Sequence, residues 1–208
     1  MIWTVKSFVL PLLLLCLWLL EAGAQACTCG AAHPQQALCR ADVVIKAKVV
    51  GVMDDGDLFT PIKYKIKQTK MFKGPNKNFD LIYTTPLCRV TLSKGIDYLI
   101  SSRLESNQTL HVNLCNFVEP WNKLTAAQRS SLVHRYEMGC GCKITYCTSV
   151  PCAISTPAEC LWTDYLTEGV VFGSQSRHFA CMKRNDGSCA WYRGAEYPKK
   201  KFMEIEEP

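Results

Sequence analysis

Thirteen cysteines in 208 residues constrain this chain more than any other feature. Cys16 sits in an apolar amino-terminal run, and the other twelve lie between Cys27 and Cys189. An even set of cysteines in an oxidising compartment implies a disulfide framework, here of up to six bridges, but their number leaves the connectivity open. Six of them crowd into residues 142–189. A segment that short buries little apolar surface, so crosslinks worth about 2 to 4 kcal/mol each must carry much of its stability.

The compartment is read from the amino terminus. A short basic start ending at Lys6 precedes an apolar run over residues 8–20, and Ala24-Gln25-Ala26 has the small-x-small form of a signal-peptidase site. The run is shorter than the roughly 20 residues a membrane span needs. Residues 1–26 are therefore expected to be a secretory signal peptide, leaving no membrane span after cleavage and directing the product to the extracellular space and matrix. Cys27 then becomes the first residue, with a free α-amine.

Directly at that point stands Cys27-Thr28-Cys29. On its residues alone it could be a metal-thiolate pair, half of a disulfide framework, or a chain end pinned for a purpose. Secreted cysteines oxidise, and His33, His111, His134 and His178 are scattered rather than set at metal spacing, which weighs against thiolate ligation. These histidines read as surface or packing residues. No HExxH motif, nucleophile elbow or carboxylate pair is present, so an enzyme is not expected. The net charge of +6 favours weak contact with acidic matrix glycans. No aromatic-basic stripe or phosphate-binding glycine loop accompanies it, so no nucleic-acid partner is expected.

Along the chain, Pro34 opens a short helix that carries Cys39 on its inner face. Residues 42–53 read as a strand with Ile45, Ala47 and Val49 alternating against Lys46 and Lys48, and residues 62–67 repeat the alternation. Residues 79–84, 98–102 and 110–115 complete five short antiparallel strands, the pattern of a small closed barrel of the oligonucleotide/oligosaccharide-binding type. Asn107-Gln108-Thr109 is a glycosylation sequon before the fifth strand. A capping box at Thr125 and an apolar face of Leu132, Val133 and Tyr136 predict one helix over 124–137. Cys140-Gly141-Cys142 then reads as a hinge, dividing an amino-terminal domain, 27–140, from a small disulfide-rich carboxy-terminal domain, 141–208. The fold class is mainly β with helices.

Several stretches together carry a resemblance to the tissue inhibitors of metalloproteinases: Cys27-Thr-Cys29, His33-Pro-Gln-Gln, Val44-Ile-Lys-Ala-Lys48, Ile66-Lys-Gln-Thr-Lys-Met-Phe-Lys-Gly74, Cys140-Gly-Cys-Lys-Ile-Thr145, Glu159-Cys-Leu-Trp-Thr-Asp164 and Asp186-Gly-Ser-Cys-Ala-Trp-Tyr-Arg-Gly194. The resemblance implies a netrin-like barrel followed by a small second domain. It also implies six disulfides: Cys27–Cys88, Cys29–Cys115, Cys39–Cys140, Cys142–Cys189, Cys147–Cys152 and Cys160–Cys181. It further implies a monomeric inhibitor of matrix metalloproteinases with no cofactor of its own. Its mature terminus, Cys27, would bind the target's catalytic zinc through the backbone amine and carbonyl, and Thr28 would enter the specificity pocket.

Cys29 and Gly30 would follow the cleft, with Leu87, Cys88, Arg89 and Val90 as a second protease-binding segment. The acidic ending, with Glu204, Glu206 and Glu207, resembles that of the family's acidic-tailed paralogue, whose tail docks on the haemopexin domain of progelatinase A. The sequence departs from the family pattern at Arg89, where glycine is usual, at Gly30, where serine or alanine is usual, and at Ala31, where proline is common. Its loop near residues 54–61 is also short. A second class stays open: a netrin-like interaction module that binds receptors or glycans without inhibiting a protease, which has no need of a cysteine as its first residue.

Overall fold

A computed structural model describes residues 27–57 and 59–194. The expected leader at 1–26 and the tail with Glu204, Glu206 and Glu207 lie outside the described residues. No helix among the described residues is long and apolar enough to cross a membrane.

The chain enters through helix α1 (Pro34–Arg40), with proline at its start and His33 as N-cap. Strand β1 (Val43–Met53) and strand β2 (Lys63–Lys73) follow, each eleven residues long. On β1, Val43, Ile45, Ala47 and Val49 are buried, and on β2, Tyr64 and Ile66 face the same core while Lys63, Lys65 and Lys67 face water. Strands β3 (Leu81–Thr84), β4 (Asp97–Leu104) and β5 (Leu110–Val112) complete the barrel, and β6 (Val118–Pro120) adds a short edge to β4. The ring runs β1-β2-β3-β5-β4 and closes because β1 also pairs with β4. Three register shifts in the β1–β2 ladder, the last between Val49 and Gly51, let the long ribbon bend around the core.

Two expectations are corrected here. The barrel is not antiparallel throughout, because β3 and β5 pair parallel, Ile82 opposite Leu110 and Thr84 opposite Val112. The reason is parity: strand direction cannot alternate around a closed ring of five, so one neighbouring pair must run together. The single helix expected over 124–137 is instead two short ones, α2 (Ala126–Ser131) and α3 (Arg135–Met138). Thr125 and Gln128 form the capping box as expected, but His134 leaves helical geometry at φ −145°. The break turns Leu132 and Tyr136 into a second core with Leu38, Val44, Leu99 and Ala180, and leaves Val133 exposed. Val133 and His134 are weak helix formers, so packing decides the path there.

Beyond Cys140 the elements are small: β7 (Lys143–Tyr146) pairs parallel with β8 (Glu159–Trp162), α4 (Asp164–Glu168) and α5 (Ser174–His178) follow, and β9 (Phe179–Lys183) forms a hairpin with β10 (Cys189–Arg193). Their core is Trp162 with Ile144 and the cysteines 142, 160, 181 and 189. Asp164 organises the turn above it. Its Oδ2 accepts from Trp162 Nε1 at 2.8 Å and from the amides of Gly173 and Ser176 at 3.0 Å, and its Oδ1 accepts from the Gln175 amide at 2.7 Å. Burial alone would raise this carboxyl's pKa; the surrounding donors overcome that and hold it below the usual carboxylate value.

Helix α1 joins the two halves. The Gln35 side chain donates to the Cys181 carbonyl at 2.7 Å and accepts from its amide at 2.8 Å, pairing with the backbone as a strand edge would. Gln36 donates to the Ile144 carbonyl at 2.8 Å. A side chain at Gly139 would meet both the Cys181 carbonyl and the Gln35 amide group, so only glycine lets this junction close.

His33 lies in the same junction, fully buried and edge-on to Trp162 at 5.4 Å. Its Nδ1 accepts from the Gln35 amide at 3.2 Å. Burial lowers its pKa to about 4, against smaller opposing effects of the Gln175 backbone and the Asp164 carboxylate. Because the folded value lies below the unfolded 6.5, the unfolded chain binds the extra proton in between, and stability falls as pH drops through that window. The loss approaches about 3 kcal/mol by pH 4. Urea midpoints measured between pH 7 and 4.5 are expected to fall with acidification. In His33→Asn, which keeps a capping acceptor but cannot titrate, that part of the slope is expected to vanish.

Candidate functional site: a pinned terminal ridge

The first described residues form a ridge on the barrel. Cys27 is half-buried, and Thr28, Cys29 and Gly30 are exposed. Cys27 is bonded to Cys88 and Cys29 to Cys115, so two bridges one residue apart fasten an extended segment that has no secondary structure of its own. The remaining bridges join Cys39 to Cys140, Cys142 to Cys189, Cys147 to Cys152 and Cys160 to Cys181, the pairs that the resemblance implies. Both ridge sulfurs are therefore occupied, and the thiolate reading of Cys-Thr-Cys does not apply. Elsewhere, Cys142, Cys181 and Cys189 bring their sulfurs within 4.8 Å of one another, but all three are in disulfides.

The partner segments are held in turn. Tyr64 donates its hydroxyl proton to the Val90 carbonyl at 3.0 Å and accepts from the Leu92 amide at 3.2 Å, anchoring the chain after Cys88 to the barrel. The Leu114 amide donates to the Cys88 carbonyl at 3.0 Å, tying the two cysteine-bearing segments to each other. Asn113 and Asn116 wind the turn around Cys115 by side-chain bonds to the Cys115 and Asn113 amides.

Of the segment expected to bind the protease, Leu87 is 78% exposed, whereas Val90 is 7% exposed and belongs to the barrel core. Val90 thus serves as the anchor and Leu87 as the face. Arg89 is half-buried, its guanidinium turned back onto backbone carbonyls. Leu114, 57% exposed beside Cys115, was not anticipated. Residues 110–115 read as one strand, but β5 ends at Val112, and the two asparagines that make the following turn were the available signal. Gly30 has open space where a side chain would project, so its smallness relieves no crowding. Asn107 is exposed, and its Oδ1 accepts from Thr109 Oγ1 at 2.6 Å.

The described residues thus form a closed five-stranded barrel that carries a disulfide-anchored segment, Cys27 to Cys29, next to a small crosslinked unit. The chain matches the tissue inhibitor of metalloproteinase family over residues 25–191, and it belongs to that family. It is 52% identical over 217 residues to metalloproteinase inhibitor 2 of Cavia porcellus, covering 99% of both chains. It is 52% identical over 215 residues to metalloproteinase inhibitor 2 of Homo sapiens, covering 98% of both. With metalloproteinase inhibitor 2 of Gallus gallus it shares 48% over 197 residues, 89% of this chain and 90% of that one.

Proposed function

We propose that this protein is a secreted inhibitor of zinc matrix metalloproteinases, not an enzyme, acting through the terminus that cleavage after Ala26 creates. The observation that carries this reading is the ridge: two disulfides immobilise Cys27 and Cys29, with Cys27 half-buried and Thr28 exposed between them. A catalytic zinc holds three protein ligands and a water in an open position. A free α-amine has a pKa of about 7.7 to 8.0, so a useful share is neutral near pH 7 and offers a lone pair. With its own carbonyl oxygen it makes a five-membered chelate that displaces the water, and hydrolysis stops for want of a nucleophile. Thr28 occupies the specificity pocket beside the metal, and Gly30 continues along the cleft with Leu87 on the flank. The disulfides lower the ordering cost of binding, because the ridge is already held in one conformation.

Three further assignments belong to the same reading. The carboxy-terminal unit and the tail with Glu204, Glu206 and Glu207 engage the haemopexin domain of progelatinase A. Asn107 carries an N-linked glycan, which its exposure and its Thr109 bond support. Lysines opposed in register on β1 and β2, Lys48 with Lys67 and Lys46 with Lys70, support weak contact with acidic matrix glycans.

The reading is tested on the secreted protein by sequencing its amino terminus and titrating it against a matrix metalloproteinase. The expected outcome is Cys27 as first residue and stoichiometric inhibition. Thr28→Gly is expected to weaken inhibition at least about tenfold, the scale on which a buried anchor side chain contributes. Unchanged inhibition constants would remove Thr28 from the pocket.

A further inference from the structure

Arg89 directly follows Cys88, and its half-buried side chain turns back onto the backbone. Its Nε donates to the Pro86 carbonyl at 3.0 Å, and its terminal nitrogen donates to the Thr60 carbonyl at 2.7 Å and to the Asp57 carbonyl. One planar group thus holds backbone from two segments: the chain around Cys88, and the turn that connects β1 to β2. Lysine, a point donor on a flexible stem, cannot make this fork. The turn is itself wound tightly. Asp54 Oδ1 accepts from the Gly56 amide at 3.0 Å, Asp55 Oδ1 from the Asp57 amide at 3.1 Å, and Asp57 Oδ1 from the Phe59 amide at 3.0 Å. Thr60 also donates its hydroxyl proton to Asp55. Each clamped segment then carries one strongly exposed apolar side chain, Phe59 at 75% and Leu87 at 78%.

An exposed phenylalanine on a free loop loses much of its binding contribution to the cost of ordering the loop. A clamped one does not. We infer that Arg89 is a positioning residue that fuses the turn around Asp57 and Thr60 to the Cys88 segment, so that Phe59 joins Leu87 and the terminal ridge as one preformed contact edge for the proteinase. The short turn is then an added apolar anchor whose register is set by Arg89. This rests on the inhibitory reading above, although the clamp itself is measurable without any protease.

The test uses the full secreted protein with Arg89→Ala, Arg89→Lys, Phe59→Ala and the double variant Arg89→Ala/Phe59→Ala. Amide hydrogen exchange is expected to speed up at least about tenfold over residues 55–60 in Arg89→Ala, with the rest of the barrel unchanged. Unchanged exchange there overturns the clamp, whatever the protein inhibits. Against a matrix metalloproteinase, Arg89→Ala is expected to leave association within about twofold and to raise dissociation about tenfold. Arg89→Lys recovers only a minor part. Phe59→Ala is expected to cost about fivefold in the parent and far less in the Arg89→Ala background, as coupled residues behave. An equal Phe59→Ala effect in both backgrounds, or a change confined to association, overturns the positioning role. If the parent protein itself fails to inhibit, the inhibitory reading falls, while the exchange result still decides the clamp.

Discussion

One alanine added before Cys27 in the secreted protein is expected to abolish tight inhibition while leaving the fold untouched. The added residue converts the α-amine into an amide, which has no lone pair to give a metal, and it places a new residue where the chelate must sit. Both ridge disulfides remain, and so do the Tyr64 anchor and the Leu114 bond that steady the partner segments. Loss of a central, fully desolvated interaction costs about 4 kcal/mol in a protein interface, which is about a thousandfold in affinity. Inhibition constants and thermal midpoints measured on the same preparation check this. A thousandfold weaker inhibitor with an unchanged midpoint is the predicted pair of results. Full-strength inhibition by the extended protein removes metal chelation from the mechanism.

The second large effect concerns stability rather than binding. Asp164→Ala is expected to destabilise the protein by about 3 to 5 kcal/mol, because it strands the indole N–H of Trp162 and three backbone amides in a site where Asp164 is 1% exposed. For a chain of this size that lowers the midpoint by about 10 °C. Asp164→Asn keeps one acceptor oxygen but turns an NH₂ group toward donors, so it is expected to fall between the two. Since the ridge has its own disulfide anchors, inhibition by whatever fraction remains folded is expected to stay near the parent value. The wild-type pH profile should show the same group: with its pKa depressed in the folded state, Asp164 contributes stability that is complete above the unfolded carboxylate value and lost as pH falls below it. That loss follows the His33 effect at higher pH, so acid unfolding is expected in two overlapping stages.

The alternation of Ile45, Ala47 and Val49 with lysines, and of Ile62, Tyr64 and Ile66 with lysines, was legible because a strand buried on one face must repeat every two residues. The first helix and the Thr125 capping box were legible for a similarly local reason. The parallel β3–β5 pair was not, because direction around a ring is a property of its closure and leaves no mark on either strand. The break at His134 was hidden too, since Val133 continues a helical apolar pattern that the folded chain does not use.

At the site, the position of Cys27-Thr28-Cys29 just after an apolar run and a small-x-small site pointed to the ridge, but cysteine count could not say which sulfurs pair. That Val90 faces the core depends on where Tyr64 stands across the barrel, and that Arg89 reaches Thr60 depends on a turn 29 residues away in sequence. Neither contact has a local signature.

Zinc K-edge X-ray absorption on the complex with a matrix metalloproteinase addresses the central claim most directly. If the amine and carbonyl of Cys27 bind the metal, the free enzyme's zinc-bound water is replaced by two light ligands. The first shell then contains only nitrogen and oxygen, at about 2.0 to 2.2 Å. A sulfur neighbour at about 2.3 Å, or a shell unchanged from that of the free enzyme, would contradict it.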